Sequence, residues 1–508
     1  MAAARPIRFV HQGRTMAVAG LPSTTTVLAW LREQAHRTGT KEGCNEGDCG
    51  ACTVLVGELQ ADGGVSYRPV NSCIQFLPTL DGKALVTVED LRGTHPAQQA
   101  MVACHGSQCG FCTPGFVMSL AACHQRHQAA GTLPSRQDIA DDLSGNLCRC
   151  TGYRPILDAG QQMFGLPNPN PLDSAAGAAT ALALAALQAD PPLHYRGESP
   201  VHARAESSVH ARAESCFHAP RTLAALAALR LAQPQARLLA GSTDVGLWVN
   251  KQLRDLGELI YIGEVAELKR ITAADGWLQI GAGASLEAAW AELARHWPAA
   301  REMGLRFASR PIREAGTMGG NIANGSPIGD SAPVLIALGA QIVLRRGSLQ
   351  RAMPLQDFYL DYMKNLLQPG EFVEALRLPL PAAGDTLRVY KLSKRYDCDI
   401  SGLAAGLWLS RDGHRDQVAD ARFAFGGLAA IVKRAAAAEA AVRGQPWTAA
   451  TVQRAMAAID LDFEPLSDLR ASASYRRRAA RNLLQRLWLE TRADAPLAPR
   501  DVSVWSVG

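Results

Sequence analysis

The sequence predicts a multidomain α+β protein, and three observations carry that reading. The chain has 508 residues, too many for one ordinary domain and enough for three or four. Most of its twelve cysteines crowd between Cys44 and Cys150. From Arg221 onward, helical and strand patterns alternate as they do in mixed α/β domains. Hydrophobic residues make up 47% and charged residues 19%, which supplies several cores and excludes a disordered chain. With 52 basic against 47 acidic residues there is no single-sign field to hold nucleic acid.

The opening Met-Ala-Ala-Ala-Arg-Pro-Ile-Arg-Phe-Val is broken by charge and proline, so no export signal is expected and the location is read as cytoplasmic. The most apolar run, Ala175 to Leu187, is shorter than the roughly 20 residues a bilayer requires. It reads as a surface helix or linker, and no membrane span is expected.

Residues 1–92 read as a ferredoxin-like α+β unit of the β-grasp kind. Ile7, Phe9, Met16 and Val18 mark two short strands that turn near Gln12-Gly13. Val27, Leu28 and Leu31 have helical spacing, and a loop rich in glycine and cysteine runs from Gly43 to Cys52. Strands follow at Thr53 to Val56 and Leu85 to Val88.

Residues 93–165 turn helical. Thr113 before Pro114 reads as an N-cap, with Phe116, Val117, Leu120 and Ala121 on one face, and Ser135 with Asp138 reads as a capping box. Residues 166–217 read as a linker in which Val-His-Ala-Arg-Ala-Glu-Ser occurs twice, at Val201–Ser207 and Val209–Ser215. Two seven-residue copies are too few for a solenoid, and His202 and His210 read as solvated. Residues 218–383 form a mixed α/β domain. Residues 384–500 open with strands at Val389 to Lys391 and Arg422 to Phe425, and close with helices at Ile431 to Val442, Thr448 to Ala458 and Tyr475 to Leu489.

Cys44-x4-Cys49-x2-Cys52, with Cys73 downstream, has the spacing of a plant-type 2Fe–2S site. Glycines in such a loop admit backbone conformations closed to other residues and let N–H groups approach the sulfurs. Zinc sites show paired short spacings at both ends, which this set lacks. Cys109-x2-Cys112 with Cys148-x-Cys150 fits either zinc or a second 2Fe–2S cluster on spacing alone, and a neighbouring ferredoxin loop favours the cluster. Cys104, Cys123, Cys216 and Cys398 read as packing thiols.

Two glycine-containing segments can aim backbone N–H groups at phosphate: Leu239-Ala240-Gly241-Ser242-Thr243-Asp244, and Thr317 through Gly320 and Asn321 to Ser326 and Asp330. Neither is a G-x-G-x-x-G, so a Rossmann site is not supported.

The segments Gly106-Ser107-Gln108-Cys109-Gly110-Phe111-Cys112-Thr113-Pro114-Gly115 and Gly145-Asn146-Leu147-Cys148-Arg149-Cys150-Thr151-Gly152-Tyr153 closely resemble the second iron–sulfur domain of the xanthine dehydrogenase family. The two loops at 239–244 and 317–330 resemble the FAD domain of that family and of carbon monoxide dehydrogenase flavoproteins, although the first carries less glycine than the family often does. Ser472 to Arg477 before an amphipathic helix resembles the family's C-terminal flavoprotein domain.

This resemblance implies two 2Fe–2S clusters and FAD in a PCMH-like, non-Rossmann domain. It implies that Gln108 and Cys150 face a molybdopterin held by a separate large subunit, since no stretch remains for that domain here. It further implies Thr243, Asn321 and Ser326 near the dinucleotide, Asp330 near its adenosine, Phe307 beside the adenine and Lys391 close to the flavin. Electrons from hypoxanthine or xanthine oxidised on the partner would pass the Cys109 set, then the Cys44 set, then FAD, and leave on NAD. On this reading no catalytic residue lies in this chain, and a dimer of large–small pairs is expected. The alternatives are the electron-transfer subunit of another molybdenum hydroxylase acting on an aldehyde, carbon monoxide or an N-heterocycle, and a free-standing iron–sulfur flavoprotein reductase.

Overall fold

The computed structural model describes residues 3–168, 175–199, 213–412 and 417–502. The chain divides into two compact units, the first formed by Met1–Glu267 with Ala308–Thr317, the second by Leu268–Phe307 with Met318–Gly508.

In the first unit, β1 (Ile7–His11), β2 (Arg14–Val18), β3 (Thr53–Leu59), β4 (Val65–Asn71) and β5 (Ala84–Val86) form one sheet in the order β2-β1-β5-β3-β4. Only the β1–β5 pair is parallel. The predicted turn is present, with Gln12 and Gly13 both at positive φ. Val54 and Val56 are buried alongside Phe9, Trp30 and Leu31 from the short helix α1 (Val27–Ala29) and its extension, which lies over the sheet. Strand β4 has no counterpart in the sequence reading; its polar Ser66 and Arg68 disguised it.

A helical layer follows: α2 (Pro96–Ala103), α3 (Thr113–Ala130), α4 (Arg136–Asp142) and α5 (Arg154–Gln162). Phe116, Leu120, Ile139 and Ile156 meet in its core. The Ser135–Asp138 capping box forms, but the N-cap of α3 is Cys112 rather than Thr113. The Thr113 hydroxyl instead lies 2.7 Å from Ser107 Oγ, tying the helix start to the ligand-bearing loop.

Residues 166–217, expected as a linker, are mostly built into the unit where they are described. Helix α6 (Ala175–Gln188) buries Leu184 and Leu187 against Val10 and Ala84 of the first sheet. Strands β6 (Leu193–Ser199) and β7 (Ala213–Ala219) pair antiparallel. Tyr195 Oη donates to Leu21 O at 2.6 Å, and Ser23 N–H donates to Ser215 Oγ at 2.9 Å, so the end of the second repeat is anchored. The rest of the duplication, with His202 and His210, lies outside the described residues.

Helix α7 (Leu223–Ala232), β8 (Arg237–Leu239), α8 (Val245–Asn250) and β9 (Leu259–Tyr261) complete a second sheet in the order β6-β7-β9-β8. The helix Arg310–Ala315 also belongs to this unit.

The second unit holds a five-stranded antiparallel sheet. It comprises β10 (Ile271–Ala274), β11 (Trp277–Gly281), β12 (Gln341–Arg346), β13 (Leu349–Pro354) and β16 (Phe372–Pro379), in the order β10-β11-β16-β12-β13. A small hairpin of β14 (Tyr359–Asp361) and β15 (Lys364–Asn365) interrupts its sequence. Helices α9 (Leu286–His296), α10 (Arg301–Arg306), α11 (Met318–Asn324) and α12 (Ser331–Ala337) accompany the sheet, with Trp290, Leu293, Met318, Ile322 and Leu335 in the shared core.

A second layer has β17 (Asp385–Leu392), β18 (Leu403–Asp412), β19 (Gln417–Gly426) and β20 (Lys433–Arg434) in chain order, covered by α13 (Ala436–Val442), α14 (Ala449–Asp462) and α15 (Ala473–Thr491). Leu407, Leu409, Phe423 and Phe425 meet Val452, Leu483 and Leu487 there. Helix α13 starts five residues after the predicted Ile431, because Lys433 and Arg434 pair as an edge strand first. Among the described residues no helix is long and apolar enough to cross a membrane.

Candidate functional site

The loop between α1 and β3 brings Cys44, Cys49 and Cys52 to Cys73, which follows β4. Asn45, Gly47 and Gly50 take positive φ, so the loop curls around its own sulfurs. Backbone N–H groups point inward: Asp48 and Cys49 donate to Cys44 Sγ at 3.3 and 3.4 Å, and Cys44 donates to Cys49 Sγ at 3.4 Å. A side chain at Gly43 would place its Cβ 2.8 Å from Cys49 Sγ.

The Cys44 sulfur is held far below the ordinary thiol range because it accepts hydrogen bonds from Cys49 and Cys73, and Cys52 is lowered by Cys73. The donors Cys49 and Cys73 are pushed up in return, chiefly by their hydrogen bonds to Cys44. Four thiols in mutual contact, surrounded by inward N–H groups, are a donor set that suits an anionic iron–sulfur cluster.

The second set is assembled by helix termini. Cys112 caps α3, Cys109 precedes it, and Cys148 and Cys150 lie on the turn before α5. Cys109 Sγ and Cys150 Sγ are 3.6 Å apart, and Cys148 N–H donates to Tyr153 Oη at 3.0 Å. Burial and a hydrogen bond to Cys148 raise Cys112 to about 12, whereas the Phe111 N–H and Cys150 lower Cys109. Gly110, Gly152 and Tyr153 take positive φ. Gln108, Cys109 and Cys150 are exposed, beside exposed Phe111, Leu147 and Tyr153. All eight predicted cysteines therefore fall into two groups of four.

The two loops touch each other directly. Leu147 N–H donates to Cys49 O at 3.0 Å, and Asn146 Nδ2 donates to Gly50 O at 3.1 Å while its Oδ1 accepts from Ser119 Oγ at 2.7 Å. A Cβ on Gly115 would lie 2.1 Å from Gly50 O. Asn146 was missed as a functional position because nothing in cysteine spacing reports on it. Asn250 and Lys251 were missed too; they donate to Cys73 O at 2.7 Å and Cys44 O at 2.6 Å from a helix distant in sequence.

Of the glycine loops, Leu239 to Asp244 belongs to the first unit. Gly241 approaches the 310–315 helix so closely that a Cβ would sit 1.9 Å from Ala315 O. Ser242 has φ +63 and a buried hydroxyl without a hydrogen-bond partner, which suits an incoming phosphate oxygen. Thr317 ends this unit's last segment.

In the second unit Gly320 and Asn321 lie on α11, with Gly319 packed so tightly that a Cβ would meet Ala282 Cβ at 2.4 Å. Ser326 closes the following turn, accepting from Gly329 N–H at 3.1 Å. The Phe307 ring lies 6.3 Å from that of Trp290, centroid to centroid, with the planes tilted by 41°. Asp330 is buried, ion-paired with Lys391 Nζ and accepting from Ser401 Oγ at 2.5 Å. Asp330 and Lys391, assigned by resemblance to the adenosine and flavin portions of the dinucleotide, are thus joined directly by an ion pair. Ser401 joins them from the segment just before β18, a position no motif announced.

Comparisons with known proteins agree with this layout. Residues 9–74 match the family of 2Fe-2S iron-sulfur cluster binding domains and residues 87–161 the 2Fe-2S binding domain. Residues 211–381 match the FAD binding domain in molybdopterin dehydrogenase, and residues 388–491 the CO dehydrogenase flavoprotein C-terminal domain. Xanthine dehydrogenase of Emericella nidulans is 32% identical over 507 residues, covering 90% of this chain and 36% of that protein. Xanthine dehydrogenase 1 of Arabidopsis thaliana is 29% identical over 492 residues, covering 86% of this chain and again 36% of the relative. The chain thus spans little more than a third of the length of these relatives. Among solved structures, a carbon monoxide dehydrogenase from Hydrogenophaga pseudoflava superposes with TM-score 0.50 at 30% identity, covering 53% of this chain and 94% of that one. With two 2Fe–2S domains followed by an FAD-binding domain and its C-terminal companion, the chain belongs to the molybdenum hydroxylase family, as a polypeptide carrying the family's iron–sulfur and flavin modules.

Proposed function

We propose that this chain is the electron-transfer subunit of a xanthine dehydrogenase, working beside a molybdopterin-binding large subunit. One observation carries the reading: two groups of four thiols, one enclosed and one at the surface, share a hydrogen bond through Cys49 O and Leu147 N–H. When bound, the two clusters would pass electrons singly and FAD would collect them in pairs for NAD. The chain's own part is to hold the sulfurs, stabilise their negative charge and keep the centres close.

On this reading Cys109, Cys112, Cys148 and Cys150 hold the cluster nearer the partner, with Gln108, Phe111, Leu147 and Tyr153 on the docking face. Cys44, Cys49, Cys52 and Cys73 hold the cluster nearer the flavin. Leu239 to Asp244 in the first unit and Gly320, Asn321 and Ser326 in the second are each assigned, by resemblance, to the dinucleotide. Asp330 and Lys391 act together on one part of it. The domain limits proposed are 1–92, 93–165, 218–383 and 384–500, with 166–217 between the second and third; its described residues hold the helix Ala175–Gln188, the strand Leu193–Ser199 and the start of the strand Ala213–Ala219.

The similarity to carbon monoxide dehydrogenase structures favours a second reading, in which the partner oxidises another small substrate. Co-purification followed by assay with hypoxanthine, xanthine, an aldehyde and carbon monoxide, each with NAD and with oxygen, separates the two. Purine-dependent NAD reduction is expected. Turnover of carbon monoxide or aldehyde without purine turnover would overturn the purine assignment.

A further inference from the structure

At the far end of α3 from Cys112, a group of side chains lies outside both cysteine centres. Cys123 and His127, one turn apart on α3, face Asp142 at the end of α4, and one donor atom from each lies within 4.8 Å of the others. Cys123 and Asp142 are buried, at 1% and 5% exposure.

The imidazole orientation is fixed by its neighbours. Arg126 can only donate, and its NH2 lies 3.3 Å from His127 Nε2, so Nε2 carries the lone pair. Nδ1 then donates to Thr132 Oγ1 at 2.8 Å, the kind of outer hydrogen bond that orients metal-binding histidines. The same Arg126 guanidinium also ion-pairs with Asp142 Oδ2. A positive group therefore already occupies the space between the carboxylate and the imidazole. Its side chain is 36% exposed, so solvent lies on its outer side. Arg310 holds the other carboxylate oxygen at 2.8 Å.

We propose that Cys123, His127 and Asp142 form a zinc site, with Arg126 as the resident cation that zinc replaces. The charges balance. Before binding, Asp142 is shared by Arg126 and Arg310 and the thiol is neutral; Arg310 stays in place throughout, so only Arg126 is exchanged against the ion. Afterwards the dipositive ion is matched by the Asp142 carboxylate and the Cys123 thiolate, one proton has gone to solvent, and Arg126 has moved out. Thiolate, imidazole and carboxylate are the ligand types zinc prefers, at about 2.0–2.3 Å, with water as a fourth ligand. Separations of up to 4.8 Å need only a modest inward shift of the side chains. A bound ion would clip the end of α3 to α4, just ahead of the segment that carries Cys148 and Cys150.

The test uses the cluster-loaded protein, incubated with zinc chloride, desalted, and analysed for zinc and iron together. One zinc per chain with undiminished iron is expected. Cys123→Ser and His127→Gln should each abolish its retention. Arg126→Ala, which removes the competitor, should retain zinc measurably more tightly than the natural protein. No retained zinc, zinc gained with matching loss of iron, or Arg126→Ala binding no tighter would overturn the proposal. Iron is measured in the same sample, so failure of the cluster assignment is seen separately.

Discussion

The two cysteine centres use the same four-thiol chemistry in opposite settings. Cys52 and Cys73 are 2% and 1% exposed, inside a mixed sheet, whereas Cys109 and Cys150 stand at the surface beside exposed Phe111, Leu147 and Tyr153. The first centre is built by a loop that folds back on itself through positive φ angles. The second is built by helix ends, which leave one side open. On the proposed function, the more enclosed set would serve as the relay and the more open set as the entry point.

The largest effect should separate the centres by stability. Cys73→Ser should lose half the iron and also loosen the surrounding sheet, because a buried ligand is also a core side chain. Cys150→Ser should lose the same iron with little change in melting temperature. Equal melting temperatures, measured calorimetrically, would break the contrast.

Gly50 joins the centres and should be nearly as sensitive. Its φ is +69, and an added Cβ would lie 2.4 Å from Gly145 O. Gly50→Ala should cost about 3 kcal/mol and disturb both absorption envelopes. A change in only one centre would show that the loops are not mechanically joined.

The helical layer beneath the second centre should be the acid-sensitive one. Burial, aided by His124, lowers His95 to about 4 from an ordinary 6.5. The unfolded chain therefore takes up the proton first. Stability present above pH 6.5 is lost as pH falls toward 4, by about 2 kcal/mol between pH 7 and pH 5. His95→Gln should flatten that slope in denaturant titrations at the two pH values.

The smallest effect concerns fine tuning. Tyr153→Phe removes the acceptor for Cys148 N–H and should cost about 1 kcal/mol, with a small shift in the potential of the second centre and none in the first. Potentiometric titration reads both at once.

The cysteines were legible in the sequence because a ligand set imposes spacing on the chain that no core requires. What supports them was not. Asn146, Asn250, Lys251 and Ser401 reach their sites from elements distant in sequence, and each is an ordinary polar residue where it stands. Strands β6 and β7 were hidden differently. Leu193, Tyr195 and Phe217 are interleaved with His194, Arg196 and His218, and the structure buries both histidines against each other, but polar residues at those positions beside the duplication made the stretch look like linker. The ion pair between Asp330 and Lys391 was not legible either, since pairing between positions 61 residues apart is a property of the fold.

The account rests on two separate iron–sulfur centres held in one unit by touching loops. Electron paramagnetic resonance of the chemically reduced protein tests this most directly. Two distinct signals, mutually broadened, are predicted, with Cys150→Ser removing one and sharpening the other. A single signal in the natural protein, or two signals with no mutual broadening, would contradict it.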